Sequence, residues 1–363
     1  MTKLIPYIKR ISAIVLLWII GMLLYFNLIF LTITEVAPDQ VDFGGFYTTA
    51  ILLGLIFGIL NGILEVFILK RKFIRMRFGI VILLKTFLFF VTFLLTVGIF
   101  IFIKHTILFP LGIVDSAPEN EFLIFITQPL FLKHGSYALV ISFIINFILQ
   151  IDKKMGKGVL LNLLVGRYHS PREEKRIIMF LDLTSSSRIA EQLDPFAYSS
   201  LIKDFFYDID RSILTTNGSV FQFVGDEVVV LWNIKEGVEN NNCLHFFFLA
   251  KEIIQKNKPK YEAKYGLVPE FKAGIHSGKV IVTEVGGRKQ EIAYHGDTVN
   301  TAARIRSECN ELNKRLLISA ELLSLLSDID RTYFVESQGI FSLKGKKNVI
   351  GLFSVGEKNQ QTV

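Results

Sequence analysis

Apolar residues are concentrated in the first part of the chain, before about residue 151. They form runs of roughly 20 residues, the length that an α-helix needs to cross a lipid bilayer. The whole chain of 363 residues is 51% hydrophobic with a mean hydropathy of +0.45, which is high for an ordinary soluble protein. Residues 1–151 are therefore predicted to be a membrane domain with about four transmembrane helices, near Ile11–Thr32, Phe46–Leu69, Phe78–Ile103 and Tyr137–Ile151.

The start of the fourth helix is the least regular of these boundaries. Phe122–Leu132 is also apolar, but Gln128-Pro129 interrupts it and Lys133-His134-Gly135 separates it from the next apolar run. We place the span at Tyr137–Ile151 and leave open that the segment before it is an interfacial or re-entrant piece.

The distribution of Lys and Arg predicts the orientation in the membrane. Basic residues precede the first span, lie between the second and third, and follow the fourth, whereas the loop Glu35–Gly45 is acidic and has none. By the positive-inside rule both termini are cytoplasmic, and the protein is a multi-pass protein of the inner (plasma) membrane. The net charge of +7 is then explained by topology and anionic lipid rather than by nucleic acid. The ligand or partner of the membrane domain is unknown at this stage.

Two ionisable residues lie inside the predicted spans. Glu65 is near the cytoplasmic end of the second span and Lys85 is about two turns into the third. Either the two side chains pair, or Lys85 extends to the interface by itself, and the sequence favours neither.

The two cysteines, Cys243 and Cys309, have no metal-ligand or redox spacing and are interpreted as ordinary thiols in a reducing compartment.

Residues 152–174 are interpreted as a cytoplasmic linker, either a segment that couples the two domains or a simple tether. The apolar cluster Val159–Val165 predicts a short helix, which Gly166 and Pro171 terminate. Residues 357–363 are a short tail.

Two aspartates lie beside apolar runs of strand type in the second half of the chain. Asp182 ends the run Ile177–Leu181, and Asp226 lies between Val220–Gly225 and Val228–Leu231. Two converging carboxylates bind a hard cation such as Mg²⁺, which completes its coordination with water and phosphate oxygens. The alternative is that Gly225-Asp226 is only a hairpin turn.

Residues 175–356 alternate between strand and helix patterns. The order is typical of a ferredoxin-like α+β sheet. We predict strands at Arg176–Leu183, Val220–Val224 and Val228–Leu231, a strand pair at Phe271–Ile275 and Val280–Thr283, and helices at Ser199–Leu214 and Cys243–Ile254.

Three further motifs follow in the same region. They are FKAGIHSGKV at Phe271–Val280, GDTVNTAAR at Gly296–Arg304, and Leu343-Lys344-Gly345. With the two aspartates, these motifs make residues 175–356 resemble the class III nucleotidyl cyclases, the adenylate and guanylate cyclase family of membrane-bound bacterial type. The resemblance implies a homodimer with sites shared across its interface, and two Mg²⁺ or Mn²⁺ ions per site bound by Asp182 and Asp226.

The resemblance also implies the roles of several other residues. Asn300 would orient the ribose and Arg304 would stabilise charge on the α-phosphate; the two are four apart and share a helix face. Lys344 matches the lysine that holds the β- and γ-phosphates. Ser187 stands at the family's hydroxyl position, and Lys272 takes the place of a further basic phosphate contact.

The residues at the base-recognition positions depart from the family pattern. Gln222 stands where Lys is usual for adenine and Glu for guanine, and Ala293 stands where the family has Asp, Thr or Cys. A glutamine amide both donates and accepts hydrogen bonds, and Glu291 or Tyr294 can substitute for Ala293. ATP is favoured as the substrate because bacterial members of the family are mostly adenylate cyclases, with GTP as the alternative. A degenerate, nucleotide-binding receptor module and a transporter with a regulatory domain are the other hypotheses.

Overall fold

The structure is a computed structural model. It describes residues 5–36, 43–69, 76–103, 129–156, 158–343 and 349–358, together with the isolated positions Phe73, His105, Thr106, Pro110 and Thr127. The chain divides into two compact units, Met1–Lys154 and Met155–Val363.

The first unit contains the long apolar helices that the hydropathy pattern predicts. Its helices are α1 (Ile5–Val36), α2 (Phe43–Ile63) with a π-helical continuation at Leu64–Leu69, α3 (Phe78–Ile103) and α4 (Pro129–Met155). Within the described residues, these four helices are long and apolar enough to cross a membrane. Outward-facing Leu, Ile and Phe side chains remain exposed along them, as expected of surfaces that contact lipid.

The fourth helix begins earlier than the sequence predicted. It runs without a break through Lys133-His134-Gly135, so the placement of its start at Tyr137 was wrong. Pro129 is the first residue of the range described for this helix. Most of the apolar run before it lies outside the described residues.

Helices α1 and α2 pack with their backbones in close contact. Three glycines of α2, spaced four apart, face α1, and a β-carbon added to each would meet α1 atoms within contact distance. At Gly58 the added atom would lie 2.5 Å from the Cα of Val15, and at Gly54 it would lie 2.6 Å from the Cα of Ile19. Small residues at this spacing allow helices to approach closely without a hydrophobic driving force.

A buried ion pair joins α3 to the π-helical end of α2. The Nζ of Lys85 lies 2.7 Å and 2.6 Å from the two carboxylate oxygens of Glu65, and both side chains are about 4% exposed. Arg10 of α1 adds a contact of 3.3 Å to Glu65. Of the two readings that the sequence left open, the pairing of Glu65 with Lys85 is confirmed.

The second unit contains a mixed sheet with helices on it. Its strands are β1 (Arg172–Leu183), β2 (Ser219–Val224), β3 (Glu227–Asn233), β4 (Phe271–Val285), β5 (Glu291–His295), β6 (Leu316–Ser319), β7 (Tyr333–Phe341) and β8 (Ile350–Glu357). Its helices are α5 (Val159–Leu164), α6 (Ser186–Gln192), α7 (Pro195–Thr215), α8 (Ile234–Val238), α9 (Asn242–Lys256), α10 (Lys258–Tyr265), α11 (Asp297–Glu311), α12 (Ala320–Leu323) and α13 (Ile329–Thr332).

The strand order confirms the predicted ferredoxin-like arrangement. Along the sheet the order is β2-β3-β1-β4-β6-β8-β7, and β5 pairs with β4. The first four of these strands, with α7 between β1 and β2 and α9 between β3 and β4, form the β-α-β-β-α-β unit. Alternate residues of β1 face opposite sides of the sheet. Ile177, Met179 and Leu181 pack with α7 and α9, whereas Ile178 and Phe180 pack with Ala302 of α11.

One local prediction differs from the structure and another is confirmed. Phe271–Ile275 and Val280–Thr283 were predicted as a pair of strands, but they are one continuous strand, β4, because Gly274 and Gly278 lie in extended backbone rather than in a turn. Each of these two glycines marks a close approach of α11. The predicted linker helix is confirmed as α5, which ends before Gly166 at φ 62°.

Candidate active site

The site is built on a row of charged residues across three adjacent strands. Asp182 of β1 is paired in register with Glu227 of β3 on one side and with Lys272 of β4 on the other. Residues directly opposite in antiparallel strands point to the same face of the sheet. The Nζ of Lys272 lies 3.5 Å from Oδ2 of Asp182. Asp182 and Lys272 are both buried, so the opposite charge of the partner compensates each of them for the loss of water.

The second predicted carboxylate lies at the turn beside this row. Asp226 follows Gly225, whose φ of 62° allows the tight connection between β2 and β3. Burial and contact with the Asp226 carboxyl group raise the pKa of Asp182 from an ordinary 3.8 to about 6, while Arg306 and Lys272 oppose the shift. The two aspartates that the sequence singled out are therefore brought together.

These two carboxylates fit a divalent metal ion. Oδ2 of Asp226 is buried and has no hydrogen-bond partner among the described residues. An orphaned carboxylate oxygen next to a second carboxylate is an unfavourable arrangement that a cation relieves. Among the residues described, no group of three or more His, Cys, Asp or Glu side chains surrounds the point. Two protein carboxylates are what Mg²⁺ uses when substrate phosphates and water supply the remaining ligands.

Close packing on β4 fixes the position of α11, the helix that carries Asn300 and Arg304. A β-carbon on Gly274 would lie 2.6 Å from the Cα of Arg306, so only glycine fits there. The hydroxyl of Thr298 donates a hydrogen bond of 2.6 Å to the carbonyl of Lys279. Asn300 is exposed on this helix and Arg304 is half-buried.

Arg306 is the α11 side chain that reaches Asp182. Its Nη1 donates to Oδ2 of Asp182 at 3.3 Å, and its Nη2 lies 2.7 Å from a carboxylate oxygen of Glu227. Within the described residues, Asp182 pairs with Lys272 and Arg306 and not with Arg304. Neither Arg306 nor Glu227 was predicted from the sequence. The only signals were their positions: Glu227 directly follows Asp226, and Arg306 is two residues after Arg304.

The segment after Asp182 carries several hydroxyl groups. Ser185 has left-handed backbone at φ 55° and precedes α6, and Ser187 is exposed in the first turn of that helix. The hydroxyl of Thr184 is buried without a hydrogen-bond partner among the described residues. Lys272 donates a hydrogen bond of 2.7 Å to the side-chain oxygen of Asn310 in addition to its pairing with Asp182.

The predicted base-recognition residues lie on two different strands. Gln222 is exposed on β2, next to a register shift, and Ala293 is half-buried on β5. Tyr294 packs edge-on against Phe221 with ring centroids 4.9 Å apart, so its ring belongs to the domain core. Glu291 is exposed and pairs with Lys289. Lys344, predicted to hold the terminal phosphates, lies outside the described residues.

Both cysteines are structural. Cys243 and Cys309 are buried, and burial raises the pKa of each thiol to about 12. Protonated thiols of this kind are poor nucleophiles and poor metal ligands.

The sequence of this region matches a family model. Residues 168–355 match the model described as the adenylate and guanylate cyclase catalytic domain, which is just over half of the chain. The chain therefore belongs to this family, as the motifs predicted.

Individual relatives are similar to part of this chain. Adenylate cyclase 2 of Rhizobium meliloti (strain 1021) is 34% identical over 221 residues, which cover 60% of this chain and 60% of the relative. Human guanylyl cyclase C is 24% identical over 189 residues, which cover 52% of this chain and 17% of the relative. The chain thus spans about three fifths of the bacterial relative and under a fifth of the human one.

A solved structure shares the fold. The structure of a bacterial light-regulated adenylyl cyclase superposes with a TM-score of 0.52 at 20% sequence identity, covering 63% of this chain and 66% of that chain. The strand order and the helix placement described above therefore belong to a known architecture.

Proposed function

We propose that this protein is a membrane-anchored adenylate cyclase that converts ATP to 3′,5′-cyclic AMP and pyrophosphate. The observation that carries the proposal is the contact between Asp182 and Asp226 at neighbouring strand ends, within a domain of the cyclase family. Two Mg²⁺ or Mn²⁺ ions bound there would activate the ribose 3′ hydroxyl and stabilise the pyrophosphate that leaves. The protein's part is to bind and orient the nucleotide and to place positive charge around its phosphates.

The phosphate and ribose groups would be held by the residues of the family motifs. Asn300 orients the ribose, and Arg304 stabilises the charge that develops on the α-phosphate. Lys344 binds the β- and γ-phosphates, Lys272 is a further basic phosphate contact, and the hydroxyl of Ser187 assists them.

The proposed active form is a homodimer. Asn300 is exposed and Arg304 does not pair with Asp182 of its own chain, whereas Arg306 on the opposite side of α11 does. This arrangement supports a site completed by Asn300 and Arg304 of a second copy, so that a monomer is inactive. Each dimer would have two equivalent sites.

The first unit would anchor the enzyme in the inner (plasma) membrane. The four apolar helices and the basic residues that flank them support a multi-pass topology with the N-terminus and the catalytic domain in the cytoplasm. In this scheme residues 1–151 are the membrane domain, 152–174 the coupling linker, 175–356 the catalytic domain and 357–363 the tail.

The test is the formation of cyclic nucleotide by the purified full-length protein. ATP and GTP are supplied separately, each with Mg²⁺ or Mn²⁺. We expect cyclic AMP from ATP as the main product. A preference for GTP would make the protein a guanylate cyclase, and nucleotide binding without turnover of either would indicate a degenerate receptor module.

A further inference from the structure

Arg306 lies between two carboxylates at the centre of the candidate metal site. The Arg306 side chain is only a quarter exposed, and the side chains of Asp182 and Glu227, which it joins, are about 12% and 13% exposed. Its Nε is buried without a hydrogen-bond partner among the described residues. A partly buried guanidinium with two carboxylate contacts is a fixed positive charge, because arginine does not lose its proton.

The backbone holds this charge in place. Gly274 lets α11 pack against β4 so closely that the backbone of Arg306 lies directly over Gly274. Glu227 and Asp182 are adjacent in the β1–β3 register, so both acceptors lie on the sheet face that α11 covers. The arrangement therefore depends on two packed elements and not on a flexible surface side chain.

The charges around the metal-binding carboxylates nearly balance. Asp182, Asp226 and Glu227 are acidic, and Lys272 and Arg306 are basic, so the cluster carries one net negative charge. A free divalent cation bound by Asp182 would lie close to the guanidinium group of Arg306, whose Nη1 is 3.3 Å from Oδ2 of Asp182. At the low effective dielectric of a half-buried site, such like-charge repulsion is large. A nucleoside triphosphate brings several negative charges and reverses this balance.

We propose that Arg306 is a positioning residue that weakens the binding of free divalent cations, so that the metal is retained only together with a nucleoside triphosphate. Glu227 holds the Arg306 side chain against Asp182. The inference rests on the proposed function for the identity of the anionic substrate. This role explains why an arginine is partly buried in a site whose carboxylates otherwise attract cations.

The experiment measures the binding of Mn²⁺ alone to the purified full-length protein, by electron paramagnetic resonance of the unbound ion. Arg306→Gln removes the positive charge and is expected to tighten Mn²⁺ binding about tenfold, equivalent to about one pKa unit of differential interaction. Arg306→Lys keeps the charge and is expected to stay close to the wild type. Glu227→Gln removes a negative charge and should weaken binding. Arg331→Gln, which breaks an exposed ion pair with Asp328, is the matched control and should change nothing.

A competing explanation is that Glu227, once freed, becomes an additional metal ligand. The double variant Glu227→Gln/Arg306→Gln separates the two cases by comparison with Glu227→Gln. If removing Arg306 tightens Mn²⁺ binding in both backgrounds, the proposal stands. If the gain disappears without Glu227, or if Arg306→Gln binds Mn²⁺ within about twofold of the wild type, the proposal is overturned.

The role of the nucleotide is measured by equilibrium dialysis against the Mn²⁺–ATP complex, because ATP itself binds Mn²⁺ and removes the signal of the unbound ion. Adding ATP should tighten Mn²⁺ binding in the wild type much more than in Arg306→Gln, and equal gains in both would overturn the proposal. Cyclic nucleotide formation is assayed separately. A wild type that forms no cyclic nucleotide, together with the expected order of Mn²⁺ affinities, would reject the proposed function and leave the role of Arg306 intact.

Discussion

Asp182 combines two conflicting requirements at the scale of a single residue. It must be ionised to bind metal, yet burial and contact with Asp226 raise its pKa to about 6. In the unfolded chain an aspartate loses its proton near pH 4. The metal-free folded protein therefore loses stability as the pH rises from about 4 through about 6, because the unfolded state releases that proton first.

The first prediction follows from this conflict. Asp182→Asn should abolish turnover and raise the melting temperature of the metal-free protein. The gain over the wild type should grow between about pH 4 and 6 and stay constant above. The difference in melting temperature between variant and wild type is measured by thermal unfolding in the presence of EDTA across this pH range. A gain of the same size at every pH would contradict the raised pKa of Asp182.

A second prediction concerns Gln222 and the choice of purine. Lys at this position fixes a donor that suits adenine N1, and Glu fixes an acceptor that suits the N1–H of guanine. Since a mispaired buried polar group costs about 1–3 kcal/mol, Gln222→Lys should raise the ATP to GTP ratio of kcat/KM roughly 5- to 150-fold, and Gln222→Glu should lower it. If neither variant moves the ratio by more than about twofold, Gln222 does not contact the base.

At the scale of elements, the contact between α11 and β4 determines the geometry of the site. Gly274→Ala should destabilise the protein by about 1–3 kcal/mol, because the new methyl group meets backbone atoms that cannot rotate away. Cyclase activity should fall with it, since Arg304 and Arg306 lie on the displaced helix. The free energy of unfolding from urea titration gives the first quantity.

Gly287→Ala is the matched control for this substitution. An added β-carbon at Gly287 has no atom within 4 Å. Its effect should stay within about 0.5 kcal/mol, as for other surface substitutions. Equal losses for the two variants would show that the α11–β4 contact is not the cause.

The buried ion pair of the first unit gives a prediction about its helices. Glu65→Gln leaves Lys85 as an uncompensated buried charge and should cost about 3–5 kcal/mol of stability. The double variant Glu65→Gln/Lys85→Met removes both charges and should recover most of this loss. Unfolding in detergent measures both. A double variant as unstable as Glu65→Gln would mean that the pair acts through something other than charge.

Features of these elements could be predicted where neighbouring residues in the sequence indicate them, and could not where only tertiary packing creates them. Asp182 and Asp226 could be found because each follows an apolar strand and belongs to a motif. The continuity of β4 could not, since a glycine that admits a neighbouring helix looks the same in the sequence as a glycine that breaks a strand. Arg306 was missed for a related reason: its partners, Asp182 and Glu227, are brought to it only by the packing of α11 on the sheet.

For the whole molecule, the decisive question is whether one site draws on two chains. Asp182→Ala and Arg304→Ala should each be inactive alone. Co-expressed, they should regain partial activity, because a mixed dimer contains one site with both residues intact. Cyclic AMP formation after co-purification through two different tags measures this. Mixed dimers that form and remain inactive would reject the shared site.

The glycine contacts of α1 and α2 restrict how the first unit can move. Sliding one helix along the other by a single residue would place residues of α2 that carry side chains, in place of Gly54 and Gly58, against the backbone of Val15 and Ile19. We therefore expect these two helices to shift together. Among the described residues, a rearrangement within this unit would then involve α3 and α4, and it would have to break the Glu65–Lys85 ion pair or move both of its side chains together.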